Sequence, residues 1–216
     1  MATAIKISDG TGSAHDRVYR NLRHQIMHGE IPPGEALTLR GIGKMFDVSM
    51  TPARETVRRL VAEGALTLSV SGRVTTPELS NERIEELASV RALLEPELAS
   101  RALPRAYPAL IDRLRVISST GDQMVAKQDS IGYIRSNLEF HRTLYLRAQA
   151  PAILAMVETV WLQMGPTMRR LYGQMRQSER LGHHGAIIAA LKAGDEVALQ
   201  TAVRNDVTQG LRMLGT

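Results

Sequence analysis

The chain has 216 residues with a net charge of +5, and its 44% hydrophobic and 23% charged content indicates a globular protein. Aromatic residues make up only 4%, whereas Leu, Ala, Met, Arg and Glu are plentiful, which favours helices over a β-sandwich. The absence of cysteine excludes disulfides, thiolate metal sites and cysteine catalysis. No apolar run approaches the roughly 18–20 residues of a membrane span, so we expect a cytoplasmic protein without a membrane partner.

The chain begins with a polar segment followed by an amphipathic helix. Residues 1–13 are too short and polar for a signal peptide and are interpreted as a flexible arm. Residues 15–28 place Val18, Leu22 and Ile26 on one stripe, the spacing of an amphipathic helix. The segment GEIPPGEAL, with two glycines and two prolines, then ends this helix.

Capping residues predict two further helices separated by a tight turn. Thr38 is suited to cap a short helix that ends near Phe46. Ser49 is suited to cap the next helix, and Pro52 stands in its first turn. Gly64 is expected to end this helix.

The segment ALTLSVSGRVTTP carries the hairpin signal of the chain. Leu66, Leu68 and Val70 alternate with polar residues, Ser71-Gly72 can turn, and an apolar-polar strand returns. A helix, a short helix, a tight turn, a helix and a hairpin follow the order of a winged helix-turn-helix, which predicts a DNA-binding domain over residues 14–77.

In such a domain, the helix after the turn enters the major groove with its N-terminal residues at the base edges. This helix carries three arginines that can contact phosphates or bases, namely Arg54, Arg58 and Arg59. The free N–H groups at its start also favour a phosphate. Gly72 at the hairpin tip allows close approach to the DNA backbone, and Arg73 follows it. The alternative, a charged helix that merely faces water, is disfavoured by the combination with the short helix and the wing.

From Ser80 onward the pattern is purely helical, which predicts a second domain over residues 80–216. The predicted helices cover about residues 80–102, 105–126, 129–148, 150–174, 178–192 and 195–213. The predicted breaks fall at Pro104, Gly121, Pro151, Arg176-Gln177 and Gly194, and Pro166 is expected to kink or split the fourth helix. The expected fold is mainly α: a winged helix-turn-helix followed by an antiparallel helical bundle.

Arg91 is a charged residue on an apolar stripe of the first of these helices. It lies in the row Ile84, Leu87, Arg91, Leu94, Leu98, and a buried guanidinium requires an anion. Two interpretations remain open: a salt bridge to an internal acid such as Glu95 or Glu97, or a bound anionic ligand.

Four polar side chains on three other helices also point inward. Asn137 and His141 are four residues apart on one helix, while His184 and Asp206 lie on the apolar faces of two later helices. His183 is expected to face an edge or water. Two imidazoles and a carboxylate suit Zn, Ni, Fe or Mn, so we expect a divalent transition metal. The alternative for each residue alone is a hydrogen-bonded polar group in the core.

Residues 17–77 resemble the GntR family of bacterial transcription regulators through GEIPPGEAL and LRGIGKMFDVSMTPARETVRRLVAEGALTL. The resemblance implies DNA contacts by Arg40, Ser49, Thr51, Arg54 and Gly72. The family's V-S-R-T-P has Met50 in place of its arginine, a residue that often contacts a guanine. Either Met50 packs against a thymine methyl or sugar edge, or base contacts have moved to Arg40 and Arg54. In both cases we expect an altered operator position.

Residues 80–213 resemble the FCD ligand-binding domain that defines the FadR branch of this family. The matching segments are VRALLEPELASRAL, NLEFHRTLYLRAQAP and HGAIIAALKAGDEVA. The resemblance maps the metal ligands onto Asn137, His141, His184 and Asp206, where Asn137 replaces the usual Asp and Asp206 the usual last His. The formal ligand charge stays at −1, which favours a retained metal; a metal-free pocket is the alternative.

The resemblance further implies a small carboxylate effector held by Arg91, with selectivity from Tyr145, Arg170 and Tyr172. The sequence thus predicts a ligand-responsive repressor, released from operator DNA by a small organic acid and acting as a homodimer. One rival hypothesis is an enzyme that uses the two imidazoles and the carboxylate on an organic acid. Another is a helical scaffold with a nucleic-acid tether.

Overall fold

The computed structural model describes residues 13–175 and 184–208, which form helices and one small sheet. The helices are α1 (Ala14–Met27), α2 (Leu39–Phe46), α3 (Met50–Ala62), α4 (Asn81–Ala102), α5 (Pro108–Ala126), α6 (Ser130–Tyr145), α7 (Pro151–Met175), α8 (His184–Ala193) and α9 (Glu196–Thr208). The strands are β1 (Ala36–Leu37), β2 (Thr67–Leu68) and β3 (Val74–Thr75). Most of the predicted arm, the predicted start of the penultimate helix with His183, and the end of the last helix lie outside the described residues.

The N-terminal helices form where the capping pattern places them. Thr38 accepts a hydrogen bond from the backbone N–H of Gly41 at 2.9 Å and so caps α2. Asp47 adopts the left-handed conformation with φ of 51° and turns the chain between α2 and α3. Ser49 occupies the N-cap position of α3, but its side chain makes no capping hydrogen bond, so the predicted cap is wrong in this respect. Its hydroxyl therefore stays exposed.

The wing is part of a three-stranded sheet with the order β1-β3-β2. Sequence analysis missed β1, which is only two residues long and pairs antiparallel with β3 across a long loop. The alternation that predicted β2 does not describe burial. Leu66 lies in the core, whereas Leu68 is 52% exposed and Val70 is also exposed, because the hairpin projects beyond the core.

Residues 81–175 and 184–208 fold into a helical bundle in which α4 lies centrally, packed against α6, α7 and α9. The predicted break at Gly121 is wrong. Gly121 lies inside α5, buried beside Ser136, and α5 continues to Ala126. Pro166 lies inside α7, which is continuous from Pro151 to Met175, so it does not split this helix, whereas the kink stays a prediction. The interruption after α5 instead comes at Asp129, whose side chain caps α6.

The two parts of the chain meet where the end of α1 packs against α7. Gly165 of α7 lies so close to the carbonyl oxygens of Ile26 and Met27 that a Cβ atom would collide with them. Gln163, one half-turn earlier, donates a hydrogen bond to the carbonyl oxygen of Glu63 at the end of α3, at 3.0 Å. The bundle thus contacts both α1 and the end of α3.

Among the helices of residues 13–175 and 184–208, none combines the length and the apolar character that a membrane span requires.

Candidate functional sites

Helix α3 presents an exposed polar and basic surface at its N-terminal half. Met50 is its first residue and is 41% exposed, and Thr51, Arg54 and Arg58 follow as exposed residues. Ser49 before the helix is also exposed. The free N–H groups at this end of α3 are directed at the same surface, which suits a phosphate.

Two further exposed positions extend this set. Arg40 lies in the first turn of α2 and is exposed. On the wing, Gly72 has φ of +81°, and a Cβ atom there would meet no heavy atom within 4 Å, so the tip is sterically open. Arg73 is exposed, and its backbone N–H donates to the Ser69 hydroxyl at 3.0 Å. These eight residues are therefore solvent-accessible.

Arg59 differs from its neighbour Arg58 because it takes part in intramolecular packing. Its guanidinium carbon lies 3.6 Å from the centre of the Tyr19 ring, and its Nε donates to Glu63 at 3.2 Å. The Tyr19 hydroxyl donates to the same carboxylate at 2.6 Å. In the free protein this arginine joins α3 to α1, and a DNA contact by Arg59 stays a prediction.

In the bundle, three of the predicted metal ligands converge. His141 of α6, His184 of α8 and Asp206 of α9 place one ligand atom each within 4.8 Å of one another. Both histidines are buried and Asp206 is nearly so. The His184 ring stacks on Phe140 with centroids 3.7 Å apart, which fixes the plane of the imidazole.

Hydrogen bonds define which nitrogen of His141 carries a proton. The Tyr145 hydroxyl donates to Glu95 at 2.9 Å, and His141 Nδ1 lies 3.0 Å from the same hydroxyl oxygen. Because the hydroxyl proton is directed at Glu95, its oxygen must accept from His141, so Nδ1 carries the hydrogen. The lone pair of a neutral His141 is then on Nε2, which lies 2.9 Å from Asp206 Oδ2.

Glu95 is the central acceptor of this buried network. It is 0% exposed and accepts from Arg91 Nε at 2.5 Å, from Tyr145 and from Trp161 Nε1 at 3.0 Å. Burial and the neighbouring Glu95 carboxylate both raise the pKa of Tyr145, so its hydroxyl remains a donor. The salt bridge predicted as one alternative for Arg91 is present.

Asp206 is held as a carboxylate by its surroundings. Without a metal, burial acts to raise the pKa of Asp206, but a hydrogen bond from His141 and the charges of Arg91 and of the two histidines when they are protonated outweigh this and lower the pKa to about 2. The cluster therefore offers one anionic oxygen and two imidazoles, a combination typical of divalent transition metal sites.

A small enclosed space, which we call the inner cavity, lies beside this network. It has a volume of about 20 Å³, enough for about one water molecule. Its lining residues are Met27, Arg91, Tyr133, Ile134, Asn137, Leu138, Trp161, Met164 and Met168. Arg91 is 6% exposed, and its one hydrogen bond within the described residues uses Nε, so Nη1 and Nη2 remain available to an anion.

The other residues predicted to contact an effector occupy different positions. Tyr145 lies in the hydrogen-bond network, and Tyr172 is buried with its ring 4.8 Å from that of Tyr133, a lining residue. Arg170 is exposed and does not line the inner cavity, so its position gives no support to an effector contact.

Among the lining residues, sequence analysis had named only Arg91 and Asn137 as site residues, and two of those it missed are informative. Trp161 is the single tryptophan of the chain, and this rarity was the only feature of the sequence that distinguished it. Met27 gave no signal, because it ends a helix of the DNA-binding part and reaches the bundle only through tertiary packing.

Comparisons with known proteins agree with this division. The model of "Bacterial regulatory proteins, gntR family" matches residues 14–75, and that of the "FCD domain" matches residues 86–209. The HTH-type transcriptional regulator McbR of Escherichia coli is 27% identical over 201 residues, covering 92% of this chain and 91% of McbR. The gluconate operon transcriptional repressor of Bacillus subtilis is 27% identical over 193 residues, covering 85% and 77%.

Solved structures show the same architecture. That of E. coli McbR/YncC has a TM-score of 0.85 at 27% identity and covers 95% of this chain and 98% of its own. A GntR regulator from Rhodococcus sp. RHA1, with a TM-score of 0.74 at 22% identity over 95% and 99% of the two chains, supports the fold. The relatives are named as transcription regulators, which rules against the enzyme hypothesis. The chain belongs to the GntR family of bacterial transcription regulators, with a winged helix-turn-helix followed by an FCD domain.

Proposed function

We propose that this regulator is a repressor that leaves its operator when a small carboxylate binds beside a divalent metal in the FCD domain. It acts as a homodimer, since two winged domains match the two-fold symmetry of an operator. The observation that carries the proposal is the convergence of His141, His184 and Asp206 next to Arg91. The repressor named for Bacillus subtilis supports the direction of regulation.

The donor set fits a metal in chemistry and orientation. Ligands bound at about 2.1 Å lie up to about 4.2 Å apart across an ion, close to the spread of at most 4.8 Å in this cluster. The Glu95–Tyr145–His141 chain leaves the His141 Nε2 lone pair facing Asp206. A neutral Nε2 and a carboxylate oxygen repel each other at 2.9 Å unless a cation or a proton lies between them. Asn137 supplies an amide oxygen, or a hydrogen bond to a bound water.

Charge balance links the carboxylate to the metal. A metal ligand must be a neutral imidazole, and with both histidines neutral the charged forms of the buried Arg91, Glu95 and Asp206 sum to −1. A divalent cation changes this sum to +1, and one carboxylate then neutralises it. Burying an uncompensated charge is costly, so the anion binds tightly only to the metal-loaded protein. Arg91 Nη1 and Nη2 hold the carboxylate bidentately.

The DNA is bound by α3, the start of α2 and the wing. Arg54 and Arg40 contact base edges, Met50 packs against a thymine methyl or a sugar, and Arg58 contacts phosphate. Ser49 and Thr51 donate hydrogen bonds to DNA phosphates at the start of α3. On the wing, Gly72 and Arg73 approach the DNA backbone. Each of these side chains is exposed in the free protein, so binding requires no unfolding.

The metal is tested by elemental analysis of protein purified without chelators or nickel resin. We expect about one transition metal ion per chain in the wild type and its loss in His184→Ala, while His24→Ala, which alters an exposed histidine outside the cluster, retains it. Protein free of metal at neutral pH would contradict this part of the proposal.

The regulation is tested with DNA selected from genomic fragments. Sedimentation should give a dimer on one two-fold site, and a screen of small carboxylates should find one that releases this DNA from the metal-loaded protein alone. DNA binding that no carboxylate alters would instead support the scaffold hypothesis.

A further inference from the structure

Three residues form a common wall between the inner cavity and a larger opening outside it. The opening, which we call the interdomain cleft, has a volume of about 610 Å³ and lies between α1 and the helices α5, α6 and α7. Met27, Leu138 and Trp161 line both spaces. The wall is therefore a single layer of side chains between the cleft and the buried cavity.

The cleft is a polar, open approach to this wall. Five arginines line it, Arg20, Arg23, Arg113, Arg135 and Arg142, together with Glu139 and Glu158. Arg142 pairs with Glu158 at 3.0 Å and Arg113 with Glu139 at 3.7 Å, so these long side chains bridge neighbouring helices without closing the cleft. A small solvated acid can reach the wall without crossing an apolar surface.

The inner cavity is too small for an acid unless part of its lining moves. Its volume of about 20 Å³ accommodates about one water molecule, whereas even acetate has four heavy atoms. Met27 is unbranched and adapts its shape at low energetic cost, and Leu138 is only half-buried. These two side chains are the adaptable part of the wall, and the Trp161 ring is anchored by its hydrogen bond to Glu95.

We propose that Met27 and Leu138 form a gate, through which the small acid passes from the interdomain cleft to the inner cavity. The inference rests on the proposed function, because it takes the inner cavity to be part of the effector site. It also gives the DNA-binding domain a direct contact with the effector, since Met27 is the last residue of α1. Occupation of the cavity is thus sensed by a side chain of the domain that binds the operator.

Trp161 allows the gate to be tested without knowing the effector. It is the only tryptophan, it is 3% exposed, and it belongs to the wall beside Met27 and Leu138, so its fluorescence reports on any small molecule that enters between these two side chains. The probe is acrylamide, a neutral quencher. We expect Met27→Ala and Leu138→Ala each to raise the bimolecular quenching constant at least two-fold in the full-length protein.

The matched control is Met156→Ala, which shortens an exposed methionine on α7 that lines neither space. Its quenching constant should equal that of the wild type. Thermal melts of all variants establish that each is folded. Unchanged quenching in both gate variants, or an equal increase in the control, would overturn the gate.

The same samples separate this inference from the proposed function. Metal content and binding to the selected genomic DNA are measured beside the quenching. Loss of metal or DNA binding in the wild type contradicts the proposed function whatever the quenching constants are. Normal metal and DNA binding with unchanged quenching contradicts the gate alone.

Discussion

Gln163 of α7 donates its side-chain amide to the backbone carbonyl of Glu63, at the C-terminal end of the recognition helix, with a separation of 3.0 Å. The oxygen of this side-chain amide accepts a hydrogen bond from Arg83 of α4 at 3.1 Å. Trp161 and Met164, which line the inner cavity, flank Gln163 on α7. One helix that lines the inner cavity is therefore hydrogen-bonded directly to the helix proposed to enter the DNA.

The first prediction concerns this hydrogen bond. Gln163→Ala should lower the free energy of unfolding by about 1 kcal/mol, the usual net value of such a bond. Urea denaturation measures this loss, and hydrogen exchange should become faster at the amides of the last turn of α3. Gln123→Ala, on an exposed face of α5, serves as the control and should change neither quantity. Unaltered exchange in Gln163→Ala would argue against the coupling.

The second prediction concerns the close approach of Gly165 to α1. Gly165→Ala places a methyl group against the carbonyl oxygens of Ile26 and Met27, so two backbones must separate. We expect a destabilisation of about 2–3 kcal/mol, at the upper end of overpacking effects.

Gly185→Ala provides the matched control on helix α8, where an added Cβ meets no atom within 4 Å. This change should stabilise the protein by about 0.5–1 kcal/mol through helix propensity. Denaturation curves of the two variants should thus shift in opposite directions. Shifts of the same sign would show that steric contact at Gly165 is not the cause.

The third prediction concerns the proton on His141. Tyr145→Phe keeps the buried ring but removes the oxygen that accepts from His141 Nδ1. Loss of such an orienting partner typically lowers metal affinity about 10- to 100-fold, and we expect a decrease in that range, measured by competition with a zinc-binding dye. Tyr107→Phe changes an exposed tyrosine and should have no effect. Equal affinities would refute the orienting role of Tyr145.

The fourth prediction contrasts two adjacent arginines. Arg58→Ala should weaken DNA binding and reduce the slope of log affinity against log salt by about 1, the change for one lost phosphate contact. Arg59→Ala should leave that slope unchanged and instead destabilise the protein by about 0.5–1 kcal/mol, because Arg59 lies over Tyr19. Fluorescence anisotropy over a salt series, with melts of the free proteins, measures both. A reduced slope for Arg59→Ala would show that Arg59 also contacts a phosphate.

The fifth prediction concerns Met50. Binding-site selection with the wild type and Met50→Arg should give operators that differ at one base pair in each half-site. Arginine can donate to both acceptors of guanine, which is worth about 1–3 kcal/mol, whereas methionine cannot donate. The slope of log affinity against log salt of the wild type should be the slope expected when all phosphate contacts are present. If both proteins select the same sequence, Met50 does not contact a base.

Local signals in the sequence were sufficient for most helices. Caps such as Thr38 and Asp129 act within three residues, so they can be recognised without tertiary information. The strand β1 could not be predicted, because two residues carry no periodicity and pair only through β3. Whether α7 continues past Pro166 could not be decided from the residue type, because it depends on how the helix packs in the bundle.

The candidate sites were predictable to different degrees. His141, His184 and Asp206 were recognisable because each polar residue lies on an apolar face, and the cost of burying it demands a partner. The role of Arg59 depends on Tyr19, forty residues earlier, and the lining of the inner cavity depends on Met27 in the other domain. Neither relationship follows from spacing along one helix.

The contact at Gly165 has a consequence for how such regulators can be recombined. Since Gly165 meets carbonyl oxygens, which every residue possesses, the docking of α1 places little demand on the side chains of Ile26 and its neighbours. A winged domain from a relative could therefore be joined to this bundle and dock in the same position, provided that the α1 backbone ends in the same way. Specificity for DNA and specificity for a metabolite can then vary independently, provided that side-chain contacts across the junction are kept, such as Met27 at the inner cavity and the 2.7 Å ion pair of Glu30 with Arg135.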